Sequence, residues 1–440
     1  MSSTIAPAAT SDSKTAATSR RAAGASESSQ SDDGGAFSLP LIGKLESPVT
    51  TYYLLLGTTI TLVVFGLIMV FSASSVSSML SDGAAYSVFL RQLLFAVIGT
   101  IAGAFAMRLS VLWWKRLAIP LLAVAIALQV LVFTGLGYEV NGNRNWIALG
   151  PVTVQPSELA KVALVLVGAL IFANKGTLVG QIRHAILQFL VPICTVVLAL
   201  VLAGHDLGTG LVLLMIIGAI LAVAGAPGRF FAGVGLLGVA GVVALVLTSG
   251  NRMARITNWL SPECQSDPDG ACGQSVHGLY ALADGGWWGV GLGASKEKWS
   301  WLPEAHNDFI FAIIGEELGL PGTLMILFLF GLLAWACYRL VMRTQDRFVR
   351  IATGGIMAWL LGQAMINIGA VIGIIPVIGV PLPLVSAGGS SLVTTLFALG
   401  MLLSFARNEP GCKALLAARP SLIKRSLAVL PSRSSLRRSR

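Results

Sequence analysis

The chain has 440 residues, 55% of them hydrophobic and only 11% charged, with a mean hydropathy of +0.80. Soluble domains carry about 25% charged residues, so the composition excludes an ordinary water-soluble enzyme. A net charge of +10 would suit a nucleic-acid partner, but the basic residues sit in short loops and at the two ends, which argues against one. Runs of about 20 apolar residues recur, and no alternation strong enough for a barrel appears. Helices must then satisfy the backbone in lipid, and the chain reads as an all-α polytopic membrane protein.

Residues 1–50 are rich in Ser, Ala, Thr and Gly and too poor in apolar groups to build a core, so a disordered tail is expected there. No charged segment followed by an apolar one opens the chain, and the first span is expected to act as the insertion signal. Spans are predicted near 51–73, 88–107, 111–135, 156–173, 185–203, 207–225, 229–248, 322–341, 350–374 and 388–406, about ten in all. Lys and Arg fix the orientation. With the N-terminus inside, Arg108, Lys115, Arg116, Lys175, Arg183, Arg229, Arg339, Arg343, Arg347 and Arg350 all fall on the cytoplasmic side. Both termini are then cytoplasmic, 51–408 forms the membrane domain, and 409–440 is a basic cytoplasmic tail. A large extracytoplasmic loop, about 250–321, lies between spans seven and eight.

Polar groups inside this apolar chain mark the candidate site. In VQPSELAK (154–161), Glu158 and Lys161 stand three apart on one helix face, as a local ion pair or as cavity-facing groups. In AGHDLGTG (203–210), Asp206 is either a helix cap or part of the same cavity. Cys264 and Cys272 share one polar loop and read as a loop-closing disulfide if that loop is outside; two unrelated thiols is the other reading. The stretch WLPEAHNDFIFAIIGEELG (301–319) gathers Glu304, His306, Asp308, Glu316 and Glu317 beside FIFAII. From spacing alone Asp308 reads first as a helix cap and second as a functional acid, and the neighbouring carboxylates would raise its pKa, as suits a general base. Residues 308–342 run for about 35 residues, roughly 52 Å as one helix against a hydrocarbon core of about 30 Å. A break at LGLPG (318–322) is therefore expected, with 309–318 a short helix at the outer surface or dipping into a cavity. In IPVIGVPLPLVSAGGSSL (375–392) three prolines forbid a regular helix until Gly388, Gly389 and Ser390, whose free N–H groups suit an anion. No P-loop, HExxH or nucleophile elbow is present, so neither nucleotide energy nor covalent catalysis is indicated.

Five ordered motifs, GLIMVFSASS (66–75), NGNRNWIALG with VQPSELAK, HDLGTG, the block ending in HNDFIFAIIGEELG, and LPLVSAGGSS, resemble those of the SEDS family. The resemblance covers about 51–408 and is closer to the cell-division branch than to the elongation branch. It implies peptidoglycan glycosyltransfer from lipid II, the lipid-linked disaccharide-pentapeptide, with inversion at the anomeric carbon. It places the family's essential acid on Asp308 as general base, and lines the substrate cavity with Trp146, Gln155, Glu158 and Lys161. Asp206, Glu304, His306, Ser386, Gly388, Gly389 and Ser390 fall on the same motifs. It further implies a class B penicillin-binding transpeptidase and other division proteins as partners, and the plasma membrane at the septum as location. The chain departs from the family pattern at Asn145, Gly204, Ala387 and Ile378; where the family carries a Lys, this chain has Ile378. Arg144, Lys161 or Lys298 is then expected to face the leaving pyrophosphate, or a divalent cation to do the same work. The rival readings are a flippase for the lipid-linked precursor and a non-catalytic division scaffold.

Overall fold

The computed structural model describes residues 47–140, 142–150, 152–175, 179–247, 250–261, 264, 270, 272–409 and 411–418. The expected N-terminal tail and most of the C-terminal one lie outside these residues. Helix α1 (Pro48–Asp82) opens with Pro48, whose missing N–H costs nothing in a first turn, and ends on Gly83 at φ 68°. Its 35 residues make roughly 52 Å of helix, longer than the hydrocarbon core. Next come α2 (Ser87–Arg108), α3 (Val111–Leu131) and α4 (Pro156–Asn174). Helix α5 (Val179–Gln188) passes through a π turn at Phe189–Cys194, around Pro192, into α6 (Thr195–Ala203). Then follow α7 (Leu207–Ala224), α8 (Gly228–Leu247), α9 (Gly250–Leu260), α10 (Gly273–Gly285), α11 (Ile310–Arg343), α12 (Arg347–Val371), α13 (Gly389–Arg407) and α14 (Cys412–Ala418). Nine helices among the described residues are long and apolar enough to cross a membrane. Helix α8 occupies the place of the tenth expected span.

Burial orders these helices. Buried residues make up 78% of the spanning window of α4, 72% of α13 and 61% of α12, against 22% of α2 and of α3. Helix α4 is therefore the central column and α2 and α3 are peripheral. Close approach between α2 and α13 needs small residues: a Cβ on Gly400 would lie 2.2 Å from the Gly103 carbonyl oxygen.

The sequence reading missed a three-stranded antiparallel sheet between α3 and α4. Strands β1 (Gly137–Val140), β2 (Asn143–Leu149) and β3 (Val152–Val154) pair in that order, with Tyr138 opposite Trp146 and Ile147 opposite Val154. Strands of four, seven and three residues are too short to show a period. The sheet carries Asn145 and Trp146 to the mouth of the bundle and leads straight into Pro156 of α4. The described start of the basic tail forms a short helix, α14.

The expected break in α11 falls at Gly319, φ 65° and ψ −156°, two residues before Pro321. A Cβ there would sit 2.4 Å from the Gly289 nitrogen, so only glycine lets the loop backbone come this close. Groups freed by the break are taken up by that loop: Val290 N donates to Glu316 O (2.9 Å), Gly291 N to Glu317 O (3.0 Å), and Leu320 N to Gly286 O (3.1 Å). Before the break, Ile310 to Glu317 are buried without exception; after it, Leu324 and Phe328 are exposed on the lipid-facing side. The two halves are thus separate elements, the first an enclosed re-entrant turn of helix and the second a span.

Cys264 and Cys272 are bonded, the pairing expected if their loop is outside. Chain entropy assigns such a short closed loop roughly 2–3 kcal/mol. Peptide mapping without reductant should recover the cross-linked pair, and reduction should speed loop proteolysis while the helical signal stays unchanged. A second prediction concerns sidedness. Lys296, whose side chain is 77% exposed, replaced by Cys should react in intact cells with an impermeant thiol reagent; reaction only after lysis would put the loop inside.

Candidate active site

A polar cavity of about 160 Å³ lies where β2, α4 and the start of α7 face two irregular segments, 303–308 and 376–390. Glu158 and Lys161 sit one turn inside α4. Lys161 Nζ lies 2.8 Å from the Glu158 carboxylate and 3.2 Å from Gln363 Oε1, over the Trp359 ring at 4.8 Å. Thr394 Oγ1 also donates to Glu158, at Oε2, 3.1 Å. Both readings of VQPSELAK hold: the pair is local, and it lines the cavity. Buried ions need such full pairing, since removing one partner of a buried pair costs about 3–5 kcal/mol.

Asp206 is likewise both cap and wall. One oxygen accepts from Thr209 N at 2.9 Å and caps α7, while the other accepts from Gln155 Nε2 at 3.0 Å. Burial raises its pKa in spite of the Thr209 hydrogen bonds. Ser390 Oγ accepts from Gln155 N and donates to Thr153 O, both at 3.2 Å, tying α13 to the sheet. Gly388 N donates to Gln92 Oε1, and the Phe95 ring packs against Gly389. Asn145, 4% exposed, lines the cavity with an Oδ1 that has no partner among the described residues.

Opposite them, Asp308 is placed by its backbone. Asn367 Nδ2 donates to Asp308 O (2.7 Å) and to Val380 O (2.8 Å). Ser386 Oγ donates to Asn307 O at 2.6 Å, and Ala387 N donates to His306 O at 2.9 Å. Ser386 and His306 thus staple the two segments together, and among the described residues neither lines the cavity. The cap reading of Asp308 is overturned: α11 starts at Ile310 after Phe309, with no side-chain cap. The Asp308 carboxylate instead borders the cavity against Gly379, with no hydrogen-bond partner among the described residues. Burial first, and then the Glu304 carboxylate, push its pKa up to about 7, opposed by Arg255. Burial lowers the pKa of His306 and favours its neutral form.

Several expectations are corrected here. Glu316 and Glu317 do not face Asp308. Glu316 accepts from Ser295 Oγ and from Lys296 N, while Glu317 accepts from Ser72 Oγ (2.7 Å) and Lys298 Nζ (3.2 Å). They anchor the outer loop to the buried half of α11. Lys298, 6% exposed and also donating to Gly293 O, is spent in that anchor and does not line the cavity. Arg144 does not line it either: its guanidinium donates to Val132 O (3.1 Å) and Thr134 O (2.8 Å) at the end of α3. Such C-terminal carbonyls attract cations. Gln363 and Asn367 were missed, although a polar pair four apart inside the apolar WLLGQAMIN of α12 is the signal that finds them. Among the described residues no group of three or more His, Cys, Asp or Glu gathers to hold a metal ion.

Fold and cavity define a polytopic membrane protein in which a long loop delivers one acid to a polar chamber. A model described as a cell cycle protein and covering FtsW, RodA and SpoVE matches residues 52–410, and the chain belongs to this family. It is 41% identical over 385 residues to the probable peptidoglycan glycosyltransferase FtsW of Mycobacterium tuberculosis, covering 87% of this chain and 73% of that protein. It is 39% identical over 355 residues to the stage V sporulation protein E of Bacillus subtilis, covering 80% of this chain and 96% of that one. Among solved structures, a peptidoglycan synthase complex superposes with a TM-score of 0.64 at 27% identity, over 80% of this chain and 97% of that one. A mutant of the rod shape determining protein RodA of Thermus thermophilus gives 0.61 at 26%, over 81% and 98%.

A carboxyl whose native pKa is about 7, above its ordinary 3.8, keeps a proton that the unfolded chain releases. Its contribution to stability is complete below about 4 and is lost as pH rises through about 7. Infrared difference spectra of wild type against Asp308→Asn should show a protonated carboxyl band that titrates near pH 7, and Glu304→Gln should move that midpoint downward.

Proposed function

We propose that the protein is a peptidoglycan glycosyltransferase that joins lipid II disaccharide-pentapeptide units into glycan strands during division, with Asp308 as its general base. The observation that carries this reading is the Asp308 carboxylate, raised to about 7 and bordering the cavity without a partner among the described residues. A base working near neutral pH needs that pKa and that access. The sugar C4 hydroxyl attacks the anomeric carbon; its proton passes to Asp308 as the new C–O bond forms. The bond to the pyrophosphate breaks with its electron pair on the leaving oxygen, and configuration inverts. The pyrophosphate linkage supplies the driving force, in keeping with a chain that has no P-loop. Gln155, Asn145 and Trp146 face the space the sugars would fill, and Glu158 and Lys161, neutral as a pair, supply a fixed polar wall.

The membrane domain is taken as 51–408, with cytoplasmic tails at 1–50 and 409–440. The nine long apolar helices together with α8 would make ten spans and return the chain to its starting side, and the Lys and Arg bias supports the cytoplasm as that side. The similar synthase complex couples polymerization to crosslinking, which supports a crosslinking partner, read here as a class B penicillin-binding transpeptidase; the family's description as a cell cycle protein supports a role beside other division proteins at the septum of the plasma membrane.

Asp308→Asn removes the base and keeps the shape. The bonds that hold this position go to the backbone carbonyl, so folding should be unaffected. Polymerisation of purified lipid II should fall by about 10²–10⁴-fold, with lipid II still bound. Undiminished polymerisation in both Asp308→Asn and Asp308→Ala would remove the base assignment and favour the flippase or scaffold reading.

A further inference from the structure

The proposed reaction needs a cation beside the departing pyrophosphate, and the three expected ones are engaged elsewhere. Arg144 caps α3, Lys298 is buried against Glu317, and Lys161 is matched by Glu158. Arg255, on α9, differs from all three. Its side chain is exposed, and among the described residues its one hydrogen bond, Nη1 to Val377 O at 3.2 Å, uses a single N–H of the five a guanidinium carries. It borders a cavity of about 380 Å³ with Asn143, His205 and the segment at Val377 and Ile378.

That cavity is the middle of a continuous track. On one side it shares Leu211, Val242, Pro376 and Ile378 with an apolar groove of about 710 Å³ between α7 and α8. On the other side, Val377 and Ile378 also border a small pocket with Gly379 and Asp308, which in turn border the chamber described above. Arg255 is close enough to Asp308 to pull its pKa down. An apolar groove, a cation and then a polar chamber, in that order, match the order of parts in a polyprenyl-pyrophosphate sugar. We infer that Arg255 binds the pyrophosphate of the lipid-linked donor, with the polyprenyl chain in the groove between α7 and α8 and the sugar at Asp308. This rests on the glycosyltransferase reading for its substrate class, but the binding step is separable from the chemistry. When the anomeric C–O bond breaks, the negative charge that gathers on the pyrophosphate is met by the guanidinium. Ile378, apolar and on the same cavity wall, supplies no charge there.

The test uses the full chain in nanodiscs with farnesyl pyrophosphate as probe and farnesol as its phosphate-free counterpart. Wild type should bind the pyrophosphate at least about 10-fold more tightly than the alcohol. R255Q should abolish that preference, R255K should keep part of it, and I378K in the R255Q background should restore it by placing a cation on the same wall. Asp308→Asn should keep the full preference. Equal affinity of wild type for the two probes, or an R255Q protein that still prefers the pyrophosphate as wild type does, overturns the assignment. Should R255Q not fold, I378K alone serves: tighter pyrophosphate binding supports the site, and unchanged binding overturns it. If Asp308→Asn still polymerises lipid II while R255Q loses the preference, the base assignment fails and the pyrophosphate site stands.

Discussion

One buried amide holds the site together. Asn367, 2% exposed on α12, donates to the carbonyls of Asp308 and Val380 and so binds two segments that have no regular structure of their own. Backbone without helix or strand partners is costly in an apolar bundle. Here the partners come from a few side chains, Asn367, Ser386, Gln363 and Gln92, each aimed at a carbonyl or amide of a loop. These bonds tie the two loops to the helices around them. A carboxylate mounted on such a loop keeps its place without being hydrogen-bonded itself, which a base requires.

Charge is handled by division of labour. Four acidic side chains in or beside the enclosed region have a defined counterweight: Glu158 with Lys161, Glu317 with Lys298, Glu316 with Ser295 and Lys296 N, and Asp206 with Thr209 and Gln155. Asp308 has none among the described residues and is left to burial and to the charges of Glu304 and Arg255. The cluster of carboxylates in one short stretch of sequence therefore serves two jobs. The last two acids fasten the loop, and the earlier ones face or tune the chamber.

Much of this was readable in the chain. Span positions, the break at LGLPG, the Cys264–Cys272 bridge and the convergence of VQPSELAK, HDLGTG and NDFIF follow from hydropathy, from proline and glycine, and from ordered motifs. What was not readable has a common cause. Whether Arg144, Lys298, Glu316 and Glu317 face a cavity depends on partners far along the chain, such as Ser72 for Glu317 and Val132 for Arg144. A sequence shows that a polar group is present in an apolar run but not which way it turns. Short strands such as β1 and β3 carry too few residues to reveal a period, and Gln363 and Asn367 were hidden by the apolar helix that bears them.

The chamber's size bears on how it works. Ligand sites commonly enclose about 300–1,000 Å³, and this one encloses about 160 Å³. Two sugars need more room than that, so binding both requires the walls to widen. If the widened form is scarce, apparent affinity is the intrinsic affinity scaled by its population, and a contact on the loop that favours it would raise turnover without touching a single reacting atom.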